Sequence, residues 1–165
     1  RGTVTQNGDQ LVFDPGDDFT ELGVGETTTV TFNYTAQNQD GEEVVEQVTI
    51  TVTGGNDGPI ATPDEASTNE DSPVTTVNVL DNDSDPDAND VLSVIDFDTT
   101  GTVGTVTNNG DGTFGYDPAG NYNHLDDGET AVDAFTYTAS DGNGGTVTET
   151  VTVTIHGQDL SLIHI

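Results

Sequence analysis

Cysteine, methionine and tryptophan are all absent from the 165 residues, and the only lysine or arginine is Arg1. Without cysteine there is no disulfide, no thiolate chemistry and no zinc site built on sulfur. Without cations the chain has nothing to set against a phosphate backbone, so nucleic acid is excluded as a partner. An anionic membrane surface repels it for the same reason. No apolar run approaches the roughly 20 residues of a membrane span, so membrane insertion is not expected, and no signal peptide opens the chain. A segment from inside a longer protein fits that pattern. The three histidines, His124, His156 and His164, form no cluster and have no metal-ligand spacing.

Acid is what the chain has in excess. There are 31 Asp and Glu against one Lys or Arg, a formal net charge of −30. A compact state must dilute or neutralise such repulsion. Disorder, salt, and divalent cations held at carboxylate clusters are the three ways out, and Ca²⁺ is the usual divalent ion for oxygen ligands.

An internal repeat argues against disorder. A shift of 103 positions lays residues 14–54 on residues 117–157 with 17 identities in 41 positions and no gap. Phe32, Tyr34, Thr35 and Ala36 meet Phe135, Tyr137, Thr138 and Ala139, and Val48, Thr49, Thr51 and Gly54 meet Val151, Thr152, Thr154 and Gly157. The repeat unit is therefore about 100 residues, an ordinary domain size. The domain reading is residues 1–55 as the second half of one copy and 56–159 as a whole copy. The join at residues 54–59 is short and stiffened by Pro59. Residues 160–165 (Leu-Ser-Leu-Ile-His-Ile) break the pattern. They match what a library-preparation adapter encodes when read in frame, and are expected to be a non-native tail. The alternative is the first strand of a third copy.

Periodicity is that of strands. Residues 29–36, 46–53, 134–139 and 146–155 alternate apolar side chains with Thr or other polar ones. Further strands are expected at 60–67, 74–80, 91–97, 102–107 and 112–116, which makes seven in the whole copy. The sequence Asn108-Asn-Gly-Asp-Gly112 reads as a tight hairpin, and one helical turn is compatible with residues 121–126. Seven short strands between Gly, Asn, Asp and Pro clusters predict an all-β, antiparallel sandwich of immunoglobulin or cadherin type.

The densest acidic run is Asp81-Asn-Asp-Ser-Asp-Pro-Asp-Ala-Asn-Asp90. Alternate residues of such a loop can turn their oxygens to one centre, as Ca²⁺ requires. It is not an EF-hand, because Pro86 and Leu92 stand where that loop needs Gly and Glu. In a sandwich, alternate connections share a pole. That rule gathers Asn56, Asp57, Asp81, Asp83, Asp85, Asp87 and Asp141 at one end. It places Glu70 at the other, beside Gly157 and Gln158. Asp and Asn are also ordinary turn residues, and a Ser-Asp-Gly hairpin at Asp141 needs no metal.

Four separated motifs carry a family resemblance: Asn56-Asp-Gly-Pro59, Asn69-Glu-Asp-Ser-Pro73, Leu80-Asp-Asn-Asp-Ser-Asp-Pro-Asp87 and Phe135-Thr-Tyr-Thr-Ala-Ser-Asp-Gly-Asn-Gly-Gly145. Together they resemble the VCBS and cadherin-like tandem repeats of bacterial giant surface adhesins, including RTX-type adhesins. The resemblance covers roughly residues 2–159. It implies a secreted, multi-domain cell-surface protein with Ca²⁺ at or near domain junctions. Its motifs fall on Asn56, Asp57, Glu70, Asp81, Asp83, Asp85, Asp87 and Asp141. The first copy departs from it, with Asn38 where the second has Asp141.

The function expected is a calcium-stabilised stalk repeat that holds a distal binding domain away from the cell, with neighbouring repeats as its partners and surface glycans or proteins bound through other domains. The alternative is a glycan- or protein-binding sandwich module of a secreted protein or extracellular enzyme. No catalytic constellation is present in the sequence, and no enzymatic activity is expected.

Overall fold

A computed structural model describes residues 1–158. The expected tail at 160–165, and Asp159, lie outside the described residues. Among the described residues there are eleven strands and no helix. They are β1 (Thr3–Asn7), β2 (Gln10–Asp14), β3 (Thr27–Gln37), β4 (Glu43–Thr53), β5 (Asp64–Asn69), β6 (Val74–Thr75), β7 (Ser93–Asp98), β8 (Thr105–Asn108), β9 (Phe114–Asp117), β10 (Thr130–Ser140) and β11 (Thr146–His156).

The chain forms two compact units. The first holds Arg1–Asp57 together with Pro86–Asp90, and the second holds Gly58–Asp85 and the residues from Val91 onward. The second unit is a two-layer β-sandwich. One layer is the sheet β5-β11-β10-β7 and the other is β6-β9-β8. Alternation puts Phe135, Tyr137 and Ala139 of β10, and Val151, Val153 and Ile155 of β11, on the inner face. Phe114 and Tyr116 of β9 meet them from the other layer, and Val79 closes the space between. The Phe114 ring lies 5.1 Å from that of Phe135 and 5.7 Å from that of Phe97. Burying these aromatic side chains is the main force holding the layers together.

Several expected elements are corrected. The first strand of the whole copy begins at Asp64, not at residue 60. Ile60 forms only an isolated bridge with Ser84, because Pro59 and Pro63 bracket it and interrupt the ladder. That strand runs parallel to β11, the one parallel strand pair among the described residues. The strand expected at 74–80 is two residues long. Beyond Thr75 the chain curls so that the Thr76 and Val79 N–H groups reach the carbonyls of Phe114 and Gly112 separately. Residues 121–126 form successive turns, with Asn121 N–H on Pro118 O and Leu125 N–H on Tyr122 O, and no helix. The hairpin at 108–112 forms as expected, with Gly110 and Gly112 both at positive φ.

The first unit contains two antiparallel ladders, β1-β2 and β3-β4. Its sole Lys or Arg, Arg1, donates to Glu21 at 2.7 Å and lies over the Phe19 ring.

Candidate metal centre

The acidic loop between β6 and β7 separates into two parts with different surroundings. Asp83 points into the second unit. Its carboxylate accepts the Tyr137 hydroxyl at 2.8 Å and the Thr62 N–H at 2.9 Å. Nearby Asp64, at the start of β5, is buried, and its Oδ2 has no hydrogen-bond partner. Burial first, then the charge of Asp83, pushes the Asp64 pKa up to about 6 against the help of Tyr137 and Asn82. Asn82 in turn donates its amide to the carbonyls of Thr62 and Pro63. Asp81 is exposed, and its N–H closes a turn on the Asn78 carbonyl.

The other part is a candidate ion site. Asp85, Asp87 and Asp90 each offer a carboxylate oxygen, and the three oxygens lie within 4.8 Å of one another. Asp87 is 1% exposed. Its Oδ2 accepts the Asp57 N–H at 2.9 Å, so two of the candidate residues far apart in sequence meet through backbone. The loop is held by the Glu21 carbonyl, which accepts the Ala88 N–H at 3.2 Å, and by the Glu26 carboxylate, which accepts the Asn89 amide. Gly23 lies against Asp87, where a Cβ would stand 3.6 Å from the side chain. Glu26 also accepts the Gly23 N–H, and its own N–H returns to the Gly23 carbonyl.

Asp141 serves its own hairpin. Its carboxylate accepts the N–H groups of Asn143, Gly144 and Gly145 at 2.7–3.0 Å. The hairpin lies against the join, since a Cβ on Gly145 would collide with Asp141 Oδ2 and crowd Gly58 and Pro59. Asn56 donates its amide to the Asp57 carbonyl at 3.0 Å. Glu70 is at the opposite end of the repeat, as strand direction predicts. Its N–H bonds the His156 carbonyl, and its Oε1 accepts the Gln158 N–H at 3.2 Å. Glu70 is 4% exposed, and its Oε2 is buried without a hydrogen-bond partner.

Asp90 is the residue the expected set omits, although it closes the acidic run that drew attention to the loop. Asp64 is also outside that set. Its signal in sequence is faint, because an acid between Pro63 and Glu65 reads as surface.

Three clustered carboxylates and an orphaned, buried carboxylate oxygen are the donor types that a hard, oxygen-seeking cation needs. The residues present therefore fit Ca²⁺. Asp85, Asp87 and Asp90 would hold it at the loop, and Glu70 would donate at the other end. When bound it supplies two positive charges to a chain whose one Lys or Arg, Arg1, is already paired with Glu21.

A two-layer sandwich whose acidic residues sit on the connections at its ends defines the class as cadherin-like, the class of extracellular adhesion-type repeat modules. A profile of the family described as bacterial cadherin-like domain matches residues 56–157, and the chain belongs to that family. Similar solved structures include the human mucin-like protocadherin EC1-2, at 17% identity and a TM-score of 0.44, covering 93% of this chain and 78% of that one. They also include the protocadherin gammaB4 extracellular domain, at 15% identity and a TM-score of 0.45, covering 94% and 26%. An endo-fucoidan hydrolase of glycoside hydrolase family 107 is similar at 14% identity and a TM-score of 0.35, covering 92% and 25%. No curated protein sequence matches this chain.

Proposed function

We propose that this chain is a calcium-stabilised extender repeat of a secreted bacterial cell-surface adhesin, a stalk segment that projects a distal binding domain and so serves attachment and biofilm formation. The observation that supports it best is the convergence of Asp85, Asp87 and Asp90 in a chain whose one Lys or Arg already pairs with Glu21. Carboxylates that close repel unless an ion sits among them, and at such spacing the repulsion is several-fold stronger than between scattered surface acids. The role is mechanical, not catalytic. The partners in this reading are neighbouring repeats of the same protein, and glycan or protein recognition belongs to other domains. Free Ca²⁺ is abundant outside cells and scarce inside, so a loose chain can be exported and stiffen afterwards.

Calcium titration calorimetry on the full chain tests the ion. Saturable binding is expected, weakened at least tenfold by Asp87→Asn or Asp90→Asn. Heat indistinguishable from dilution refutes it. The stalk role needs a second measurement, small-angle scattering of an array of several whole repeats with calcium and with chelator. Unchanged dimensions would remove the stalk while leaving the ion site standing.

A further inference from the structure

The acidic loop is tied to strand β10 at both ends. At its start the Tyr137 hydroxyl, carried by a fully buried ring, donates to Asp83 Oδ2 at 2.8 Å and reaches the Val79 carbonyl at 3.2 Å. At its end, three residues beyond Asp90, Ser93 pairs with Ser140 and Val94 with Ala139. Tyr137, Ala139 and Ser140 belong to one strand, flanked on both sides in its sheet. A single element therefore fixes where the loop leaves the core and where it returns.

A second set of bonds fixes the residues just before the carboxylate cluster. Asp83 Oδ1 accepts the Thr62 N–H at 2.9 Å. Ser84 and Ile60 exchange both backbone bonds, at 2.8 and 2.9 Å. Pro86 fixes its own φ and narrows the conformations open to Asp85 before it. Asp85 is thereby confined from both sides, although it lies in no strand. Asp83 is among the acids that the sequence puts forward as ligands. Yet each of its oxygens already accepts a protein donor, and the oxygens that converge are those of Asp85, Asp87 and Asp90. Carboxylates brought together repel, and a slack loop would relieve the repulsion by swinging them apart. An anchored loop has that freedom removed before any ion arrives, which is how groups behind a site raise its affinity.

We propose, resting on the calcium reading above, that Tyr137 positions the ion loop through Asp83, and that Asp83 acts there as a strut and not as a ligand. The coupling is reciprocal, so amide exchange at Ile60, Thr62 and Ser84 should slow when calcium is added.

Calorimetric titration of the full chain with calcium, paired with amide hydrogen exchange in chelator, tests the pair. Tyr137→Phe deletes one oxygen and keeps the buried ring. It should weaken calcium binding roughly tenfold, the factor that one hydrogen bond to a charged group commands. Asp83→Ala should weaken it as much, and the two combined should be no weaker than either alone. Asp83→Asn should restore binding to within about twofold of the parent. Its amide oxygen can take the Thr62 N–H while its NH₂ donates to the Tyr137 hydroxyl, which still reaches the Val79 carbonyl. A ligand role for Asp83 demands the opposite, since Asn loses the charge as completely as Ala does. In chelator, Tyr137→Phe should speed exchange at Ile60, Thr62 and Ser84 several-fold more than at Val151 and Val153 of β11.

A parent chain with no saturable binding overturns the calcium reading and the strut with it. Saturable binding by the parent, with Tyr137→Phe at parental affinity or Asp83→Asn as weak as Asp83→Ala, overturns the strut alone. So does faster exchange spread evenly over the repeat in Tyr137→Phe, which would mark the hydroxyl as merely structural.

Discussion

Asp133 and Tyr116 are replaced together between the repeats. Asp133 is buried and accepts the Tyr116 hydroxyl at 2.7 Å, the Gly104 N–H at 2.9 Å, and the N–H groups of Val103 and Ala134. In the first copy the same positions are Val30 and Phe13. Donor and acceptor vanish as a pair, which leaves no buried polar group stranded. Gly104 and Gly2 are kept in both, since a Cβ at either would collide with the ring of Tyr116 or Phe13. Asp133→Val alone is expected to cost about 2–3 kcal/mol by stranding these donors. Adding Tyr116→Phe should recover part of that loss, and thermal melts of the full cycle measure the coupling. Burial works to raise the Asp133 pKa, but the Gly104 N–H, the Tyr116 hydroxyl and the other two N–H groups outweigh it and hold the pKa below the ordinary carboxylate value. Its stabilisation is therefore fully present above the unfolded pKa of about 3.9 and is lost as pH falls through the lower folded value. Asp133→Asn should flatten that acid limb; a melting profile below pH 4 identical to the parent's would contradict it.

At the scale of the strand, identical pattern does not mean identical energy. Val153 of β11 and Ile50 of β4 occupy the same place in the repeat, yet the first is sealed and the second half-buried. Val153→Ala should cost about 2–3 kcal/mol, and Ile50→Ala less than half as much despite deleting more carbon. Urea denaturation of the two variants decides this, and equal losses would show that the faces are equally covered. The strand pairs β3-β4 and β10-β11 were legible from the repeat and the Thr-apolar alternation. The shortness of β6 and the late start of β5 were not. Residues 76–80 look as strand-like as residues 130–135, but the Thr76 and Val79 N–H groups are claimed by Phe114 of β9 and by Gly112 in the turn before it, which no local pattern records. The poles were legible too, because strand direction alone carries Glu70 to Gln158 and the 141–145 hairpin to Pro59.

For the whole molecule the dominant quantity is charge. A compact state carrying −30 gains from anything that binds it and not the unfolded chain. On the proposed function, calcium at a hundred times its dissociation constant would add about 2.7 kcal/mol, equivalent to roughly 10–20 °C in melting temperature for a domain of this size. Magnesium at equal concentration should do much less, because it demands tight octahedral geometry and gives up water reluctantly. Scanning calorimetry in calcium, magnesium and chelator checks the order. Equal shifts for the two ions would point to general screening, not to a built site.

Composition and periodicity by themselves determined the all-β sandwich and the 103-residue repeat. Both follow from local chemistry: alternation writes the strand face, and the same residues recurring at a fixed spacing write the same ladder twice. Which acids come together was decided only in three dimensions. Asp81 to Asp90 are one run in the chain, yet Asp83 turns to Tyr137 while Asp85, Asp87 and Asp90 converge on one another. The direction of a loop side chain depends on what the rest of the fold places beside it, and a run of like residues carries no record of that.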